Sequence, residues 1–277
     1  MKKSISIWSF VGKSVKESMK LAKEAGFDGI ELALDEEGVT GLNATPQDWA
    51  DILAYAKELG IVIPSVASGL YWSYPFTSDD AKVREKAVSI CEKQLEMAKA
   101  LGADTILVIP GAVDVSFIPG FSVVPYDVVY ERALEAITRL KGKAEELQVH
   151  IGIENVWNQF LLSPLEMRDF IDKINSSYVG AYFDVGNVVA SGHPEQWIKI
   201  LGKRIRKVHF KDFRREAGNL SGFVDLLAGD VNWPVVMEAF KSVGYDDWAA
   251  AEMIPPYKHH SDQIIRNTYS AMKCIIG

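Results

Sequence analysis

Four short apolar segments, each ending in a carboxylate or an imidazole, place the strongest constraint on how this chain folds. Their final residues are separated by 30, 25 and 43 positions, and the segments are His150–Glu154, Tyr178–Asp184, Ile205–His209 and Trp248–Glu252. These separations leave room for a helix and two loops between consecutive strands, as parallel strands require. The pattern therefore predicts alternating strands and helices, with four polar side chains gathered at one end of the strands.

The N-terminal half repeats the same alternation. Three predicted helices are each followed by a glycine, the residue that most easily ends a helix in the left-handed conformation; they span 14–25, 46–59 and 79–101. A fourth helix is predicted over 126–147, and four more strands over 4–10, 28–34, 61–66 and 105–109. Eight strands in 277 residues fit the roughly 250 residues of a (β/α)8 TIM barrel. We expect one α/β domain over residues 1–277.

Composition excludes several classes of partner. The formal charge is -7 and the pI about 5.4, so the chain has no general attraction for a phosphate backbone, and nucleic acid is not expected as a partner. No apolar run reaches the roughly 18 residues of a membrane span, and the N-terminal segment alternates polar with apolar residues, unlike a signal peptide. Cys91 and Cys274 form no metal-binding pattern, which favours a reducing cytoplasmic setting.

The four polar side chains at the strand ends form a candidate metal site: Glu154, Asp184, His209 and Glu252. One such residue alone is more often a helix cap or a hydrogen-bond acceptor, but four at successive strand ends are hard to attribute to capping. Three oxygen donors and one imidazole favour one divalent ion such as Mn²⁺, Mg²⁺ or Co²⁺, with Zn²⁺ also possible.

Such a site predicts proton transfer on a small carbohydrate. A carbonyl and a neighbouring hydroxyl of a sugar would fit the remaining coordination positions, and the ion would stabilise the cis-enediolate formed when a carbon loses its proton. Glu154 and Glu252 lie on the fifth and eighth strands and are expected to flank the sugar. Two carboxylates on opposite faces can exchange the roles of base and acid, which inversion at carbon requires.

Further residues are candidates for binding the substrate. Lys211, Arg214 and Arg215 follow the seventh strand and could bind a phosphate or a carboxylate, although a solvated loop is the alternative. Glu31 ends the second strand, where it would reach the mouth of the barrel or cap the next loop. Several aromatic residues fall at or after strand ends and could pack against a sugar, or equally belong to the core: Trp8, Tyr71, Trp72, Trp157 and Phe160.

Four motifs resemble those of the xylose isomerase-like sugar phosphate isomerase/epimerase superfamily. They are Glu154-Asn, Phe183-Asp-Val-Gly-Asn187, Val208-His-Phe-Lys-Asp212 and Ala251-Glu-Met253. The resemblance implies a TIM barrel with one metal ion bound by Glu154, Asp184, His209 and Glu252, in which the two Glu residues also transfer protons. It is greatest to the branch of L-ribulose-5-phosphate (L-xylulose-5-phosphate) 3-epimerases. Related barrels are often homodimers or homotetramers, which is expected here by the same resemblance.

The related ketohexose 3-epimerases resemble the chain less completely. Arg215 matches an arginine of that branch, but Asn187 stands where the branch has a histidine, and Phe160–Leu162 stands in the region of its additional substrate-binding glutamate. We therefore predict a metal-dependent sugar or sugar phosphate isomerase or epimerase, and specifically a ketose 3-epimerase, with Asn187 near the substrate.

Other functions remain open from the sequence. An aldose-ketose isomerase would use the same ligand set, and an inosose dehydratase-like lyase would expel a hydroxyl after the same proton abstraction. A noncatalytic sugar-binding barrel would not require two carboxylates on a metal. An AP-endonuclease relative would need a three-metal cluster with many more histidines, whereas the chain has five His in total.

Overall fold

Eight parallel strands close into a barrel in the computed structural model, which describes residues 1–253 and 257–277. Each strand pairs with its neighbours in chain order, and the eighth pairs with the first. The strands are β1 Lys2–Ser6, β2 Gly29–Ala33, β3 Ser65–Ala67, β4 Thr105–Val108, β5 His150–Glu154, β6 Val179–Asp184, β7 Ile205–Phe210 and β8 Trp248–Ala251. The predicted (β/α)8 barrel is confirmed.

Helices surround the barrel, and several of them begin at residues whose side chains cap them. Ser14 and Thr45 form capping boxes with Glu17 and Asp48, in which each side chain accepts a backbone N–H of the other residue. The helices are α1 Val15–Ala25, α2 Pro46–Leu59, α3 Ala81–Leu101, α4 Tyr126–Leu147, α5 Pro164–Ile174, α6 Val185–Val189, α7 Pro194–Leu201, α8 Trp233–Ser242 and α9 Ser261–Ile276. None of the helices within 1–253 and 257–277 combines the length and hydropathy that a membrane span requires.

Two strands differ from their predicted bounds by several residues at one end, for local reasons. β1 ends at Ser6 because Ile7–Ser9 turns into a 3-10 helix, in which Phe10 N donates to Ile7 O at 3.0 Å. β3 begins at Ser65, later than predicted, and directly follows Pro64, which has no N–H to donate to a neighbouring strand. Both differences leave the barrel order unchanged.

The segment after β7 covers part of the C-terminal mouth of the barrel. Asp212–Phe213 pairs in antiparallel fashion with Phe223–Val224. The Asp212 carboxylate accepts hydrogen bonds from the backbone N–H of Leu227 and Val231 and from Trp233 Nε1. One buried carboxylate thus holds a loop that would otherwise leave its backbone amides without partners.

Candidate active site

The four predicted ligand residues converge at the C-terminal end of the barrel. Glu154 and Asp184 are the last residues of β5 and β6, His209 lies near the end of β7, and Glu252 directly follows β8. All four are buried, and one donor atom from each lies within 4.8 Å of the others. His209 Nδ1 lies 3.4 Å from Glu252 Oε2, 3.7 Å from Glu154 Oε1 and 3.8 Å from Asp184 Oδ2.

The donor atoms of this group fit a divalent metal ion. Asp184 Oδ2 and His209 Nδ1 are buried, yet neither has a hydrogen-bond partner among the described residues. Leaving a buried polar atom unpaired costs about 1–3 kcal/mol, so two adjacent unpaired atoms that face further carboxylates suit the binding of a cation. The group could therefore hold a metal through one imidazole nitrogen and carboxylate oxygens.

The electrostatic environments of the two glutamates are opposite. Burial, together with the nearby Glu252 charge, raises the pKa of Glu154 to about 7, even though His209 lowers it. Burial alone would also raise the pKa of Glu252, but Lys211 and His209 lower it to about 2. For His209, burial would lower the pKa, but the facing carboxylates of Glu31 and Glu252 raise it well above its ordinary value. The group thus attracts positive charge strongly.

Asn155 and Asn187 hold the backbone and the carboxylate of Asp184, so that Oδ2 faces His209. Asn155 Nδ2 donates to Asp184 O at 2.8 Å, and Asp184 N donates to Asn155 Oδ1 at 2.9 Å. Asn187 N donates to the other carboxylate oxygen, Asp184 Oδ1, at 2.8 Å, while Asn187 Nδ2 donates to Asn155 O. Asn155 was not predicted as a site residue, although it directly follows Glu154 in the Glu-Asn motif.

A cavity of about 750 Å³ opens above the ligand group. It is lined by aromatic and aliphatic side chains around a small polar base, as sugar-binding clefts commonly are. Seven expected site residues line it, namely Trp8, Trp72, Glu154, Trp157, Asn187, Lys211 and Glu252, together with Phe117 and Phe223. Two other aromatic candidates, Tyr71 and Phe160, are instead buried in the core.

The three cations after β7 do not form one cluster. Lys211 points inward, with Nζ 2.5 Å from Glu252 Oε2 and 3.5 Å from Asp184 Oδ2. Arg214 Nε donates to Ala228 O, and Arg215 Nη2 donates to Gly192 O at 3.3 Å. Neither arginine is among the described residues that line the cavity. Lys211 therefore lies beside the ligand group, and the arginines belong to the surrounding loop.

Glu31 lies beside the inner edge of the His209 ring and does not reach the mouth of the barrel. Its side chain is fully buried, and Oε1 lies 2.9 Å from His209 Nε2. Ser65 Oγ donates to Glu31 Oε2 at 2.8 Å, and the Tyr182 hydroxyl donates to the same oxygen. Burial would raise the pKa of Glu31, but His209, Tyr182 and Ser65 together lower it. The expectation that Glu31 reaches the mouth is therefore not met.

Comparisons with known proteins agree with this architecture. A model of the family described as xylose isomerase-like TIM barrel matches residues 19–273. The Escherichia coli (strain K12) protein named "Putative L-ribulose-5-phosphate 3-epimerase" is 29% identical over 227 residues, which cover 77% of this chain and 74% of that protein. A solved D-psicose 3-epimerase from Clostridium cellulolyticum H10 superposes with a TM-score of 0.82 at 16% identity, covering 99% of this chain and 98% of the other.

Proposed function

Because the chain belongs to the xylose isomerase-like TIM barrel family, we propose that it is a metal-dependent ketose 3-epimerase. The observation that carries the proposal is the convergence of two carboxylates, Glu154 and Glu252, with Asp184 and His209 at the base of one cavity. The names of the similar E. coli protein and of the similar solved structure, both 3-epimerases, support the position of the reacting carbon.

Each of the four residues has a defined task in this proposal. Glu154, Asp184, His209 and Glu252 would hold one divalent ion, with Mn²⁺ favoured by the donor set. That ion would supply positive charge to the C2 carbonyl oxygen and the C3 hydroxyl oxygen of the ketose and so make the proton on C3 more acidic.

Proton transfer is the task of the two glutamates. They come from β5 and from the residue after β8, two strands that are separated by β6 and β7 in the closed barrel. One carboxylate would remove the proton from C3 of the ketose, and the other would return a proton to the opposite face of the enediolate. In the reverse direction they exchange roles.

The cavity walls would orient the sugar between these carboxylates. Trp8 and Trp157 offer apolar faces for the C–H side of the sugar, and Asn187 offers its side-chain oxygen, since its Nδ2 is already bound to Asn155 O. Lys211 Nζ, beside Glu252, is placed to donate a hydrogen bond to a sugar hydroxyl. Arg215 would have to leave Gly192 O before it could bind a substrate phosphate.

Proton exchange at C3 tests the proposal directly. Metal-free protein, prepared with EDTA and reloaded with Mn²⁺, Mg²⁺ or Co²⁺, is incubated in D₂O with L-ribulose 5-phosphate, L-ribulose, D-psicose or D-tagatose. We expect deuterium at C3 and the C3 epimer for at least one ketose, lost with EDTA and recovered with metal. Deuterium at C1 or C2 would instead identify an aldose-ketose isomerase, and a dehydrated product a lyase. Activity that resists EDTA would refute the metal role.

A further inference from the structure

A fully buried carboxylate on β2 completes the environment of His209. Glu31 lies in the barrel interior and has no exposed surface. Its Oε1 lies 2.9 Å from His209 Nε2, while Oε2 accepts hydrogen bonds from Ser65 Oγ and from the Tyr182 hydroxyl. Removing a carboxylate from water costs several kcal/mol, so a glutamate is stable here only because each oxygen has partners.

These hydrogen bonds determine which imidazole nitrogen is free. A carboxylate accepts hydrogen bonds, so Nε2 of His209 carries the proton that is shared with Glu31 Oε1. Nδ1 is the nitrogen left for other groups, and it faces Glu154, Asp184 and Glu252 without a hydrogen-bond partner. Nδ1, whose lone pair would bind the metal, and the Glu31 carboxylate thus lie at opposite edges of the His209 ring.

The same hydrogen-bond network also restricts rotation of the His209 ring. Tyr182 packs edge-on against His209, with ring centroids 4.7 Å apart and an interplanar angle of 64°. Ser65 Oγ lies 3.0 Å from the Tyr182 hydroxyl, and each of these hydroxyls gives its one proton to Glu31 Oε2, so the three side chains are held in mutual contact. Hydrogen bonds in a dry interior reinforce one another and restrict the rotamers of all members.

We propose that Glu31 is a positioning residue that fixes the tautomer and the orientation of His209, and that Ser65 and Tyr182 in turn hold Glu31. This inference rests on the proposed metal site, and it replaces the role of substrate contact that the sequence suggested for Glu31. It also gives β2 and β3 a part in a site whose four metal ligands come from β5 to β8. Carboxylates that orient a metal-bound imidazole commonly change metal affinity by 10- to 100-fold.

Metal affinity of the metal-free protein is the direct test. Calorimetric titration with Mn²⁺ is made on the parent, Glu31→Gln and Tyr182→Phe. Glu31→Gln keeps the size of the side chain but removes its charge, so we expect the Kd for Mn²⁺ to rise about 10- to 100-fold. Tyr182→Phe keeps the packed ring and removes one hydrogen bond to Glu31, so we expect a smaller rise in the Kd. The absorption spectrum of the Co²⁺ form should shift in Glu31→Gln, because the ring is no longer held at its inner edge.

A matched control separates this role from general stability. Glu166 also accepts a hydrogen bond from a tyrosine, Tyr126, but lies outside the ligand group. Glu166→Gln should leave the Kd for Mn²⁺ unchanged. A folded Glu31→Gln protein with the Kd of the parent would overturn the inference, and if that variant does not fold, an unchanged Kd in both Tyr182→Phe and Ser65→Ala would do so. A parent protein that binds no Mn²⁺ would refute the proposed function itself, which is a different outcome.

Discussion

At the residue scale, the glutamates of the candidate site differ in their expected roles because their surroundings differ. Glu154 and Glu252 lie at the base of a cavity, whereas Glu31 is sealed within the barrel. Lys211 Nζ lies 2.5 Å from Glu252 Oε2 and lowers the pKa of Glu252, whereas burial and the Glu252 charge raise the pKa of Glu154. Acid-base pairs in enzymes are often built by separating two similar groups in this way.

The proposed proton transfer predicts the effect of replacing each glutamate. Glu154→Gln and Glu252→Gln keep a side-chain oxygen for the metal but cannot take up a proton at the amide. We expect each to lower kcat for the epimerised ketose by at least about 10²-fold, measured at saturating Mn²⁺. The Kd for Mn²⁺ is measured in parallel, so that loss of the ion is not mistaken for loss of the base. Near-normal kcat in either variant would remove that residue from the proton transfer.

The site residues that could be predicted are those that are marked by a pattern in the residues next to them in the sequence. Glu154, Asp184, His209 and Glu252 could be predicted because each ends an apolar run and parallel strand ends meet at one edge. The contact between Glu31 and His209 could not be predicted, because the two residues are 178 positions apart in the sequence. It also depends on how two strands that are not neighbours face each other inside the barrel. The position of the Arg215 side chain, which donates to Gly192 O, could not be predicted either, because proximity in sequence does not fix where a long side chain points.

At the scale of single elements, the short helix α6 begins at Asp184, which caps the helix and also faces His209. Asp184 is the last residue of β6 and also the N-cap of α6, where Oδ1 accepts from Asn187 N. Its second oxygen, Oδ2, faces His209. Capping and metal binding, which look like alternatives in the sequence, are therefore compatible, because a carboxylate has two oxygens.

Gly186 in α6 provides a prediction about this element. A Cβ at Gly186 would lie 2.4 Å from Lys211 Cβ and 2.9 Å from Lys211 C, so a larger residue must displace the segment after β7. We expect Gly186→Ala to lower the free energy of unfolding by about 1–3 kcal/mol, measured by urea denaturation, and to lower epimerase activity as Lys211 moves.

Gly142 in α4 is the matched control for this substitution. A Cβ there meets no atom within 4 Å, and the position lies inside a helix. Gly142→Ala should raise the free energy of unfolding by about 0.5–1 kcal/mol, since alanine restricts the unfolded chain. Equal urea midpoints for Gly186→Ala and the parent would contradict the close packing of α6.

Long helices were predictable from sequence, and two-residue strands were not. α2 and α4 have their predicted bounds, and α2 carries both a capping box and a closing glycine. The pairing of Asp212–Phe213 with Phe223–Val224 was not predicted, because two-residue strands carry no periodic pattern. This antiparallel pair depends on Asp212, whose carboxylate accepts hydrogen bonds from the backbone N–H of Leu227 and Val231 in the same loop.

At the scale of the whole molecule, closure of the barrel is what assembles the site. The four ligand residues come from β5 to β8, and the residues beneath His209 come from β2, β3 and β6. Strands that are distant in sequence therefore contribute to one centre, because the pairing of β8 with β1 closes the barrel. The association into homodimers or homotetramers remains a prediction from the resemblance, to be checked by light scattering.

The central claim is that Glu154, Asp184, His209 and Glu252 hold one divalent cation. The most direct measurement is anomalous diffraction at the manganese absorption edge from crystals grown with Mn²⁺. The account predicts a single strong peak in bonding contact with His209 Nδ1, Asp184 Oδ2 and a carboxylate oxygen of each glutamate. Ordered side chains without an anomalous peak among them, at a saturating Mn²⁺ concentration, would contradict it.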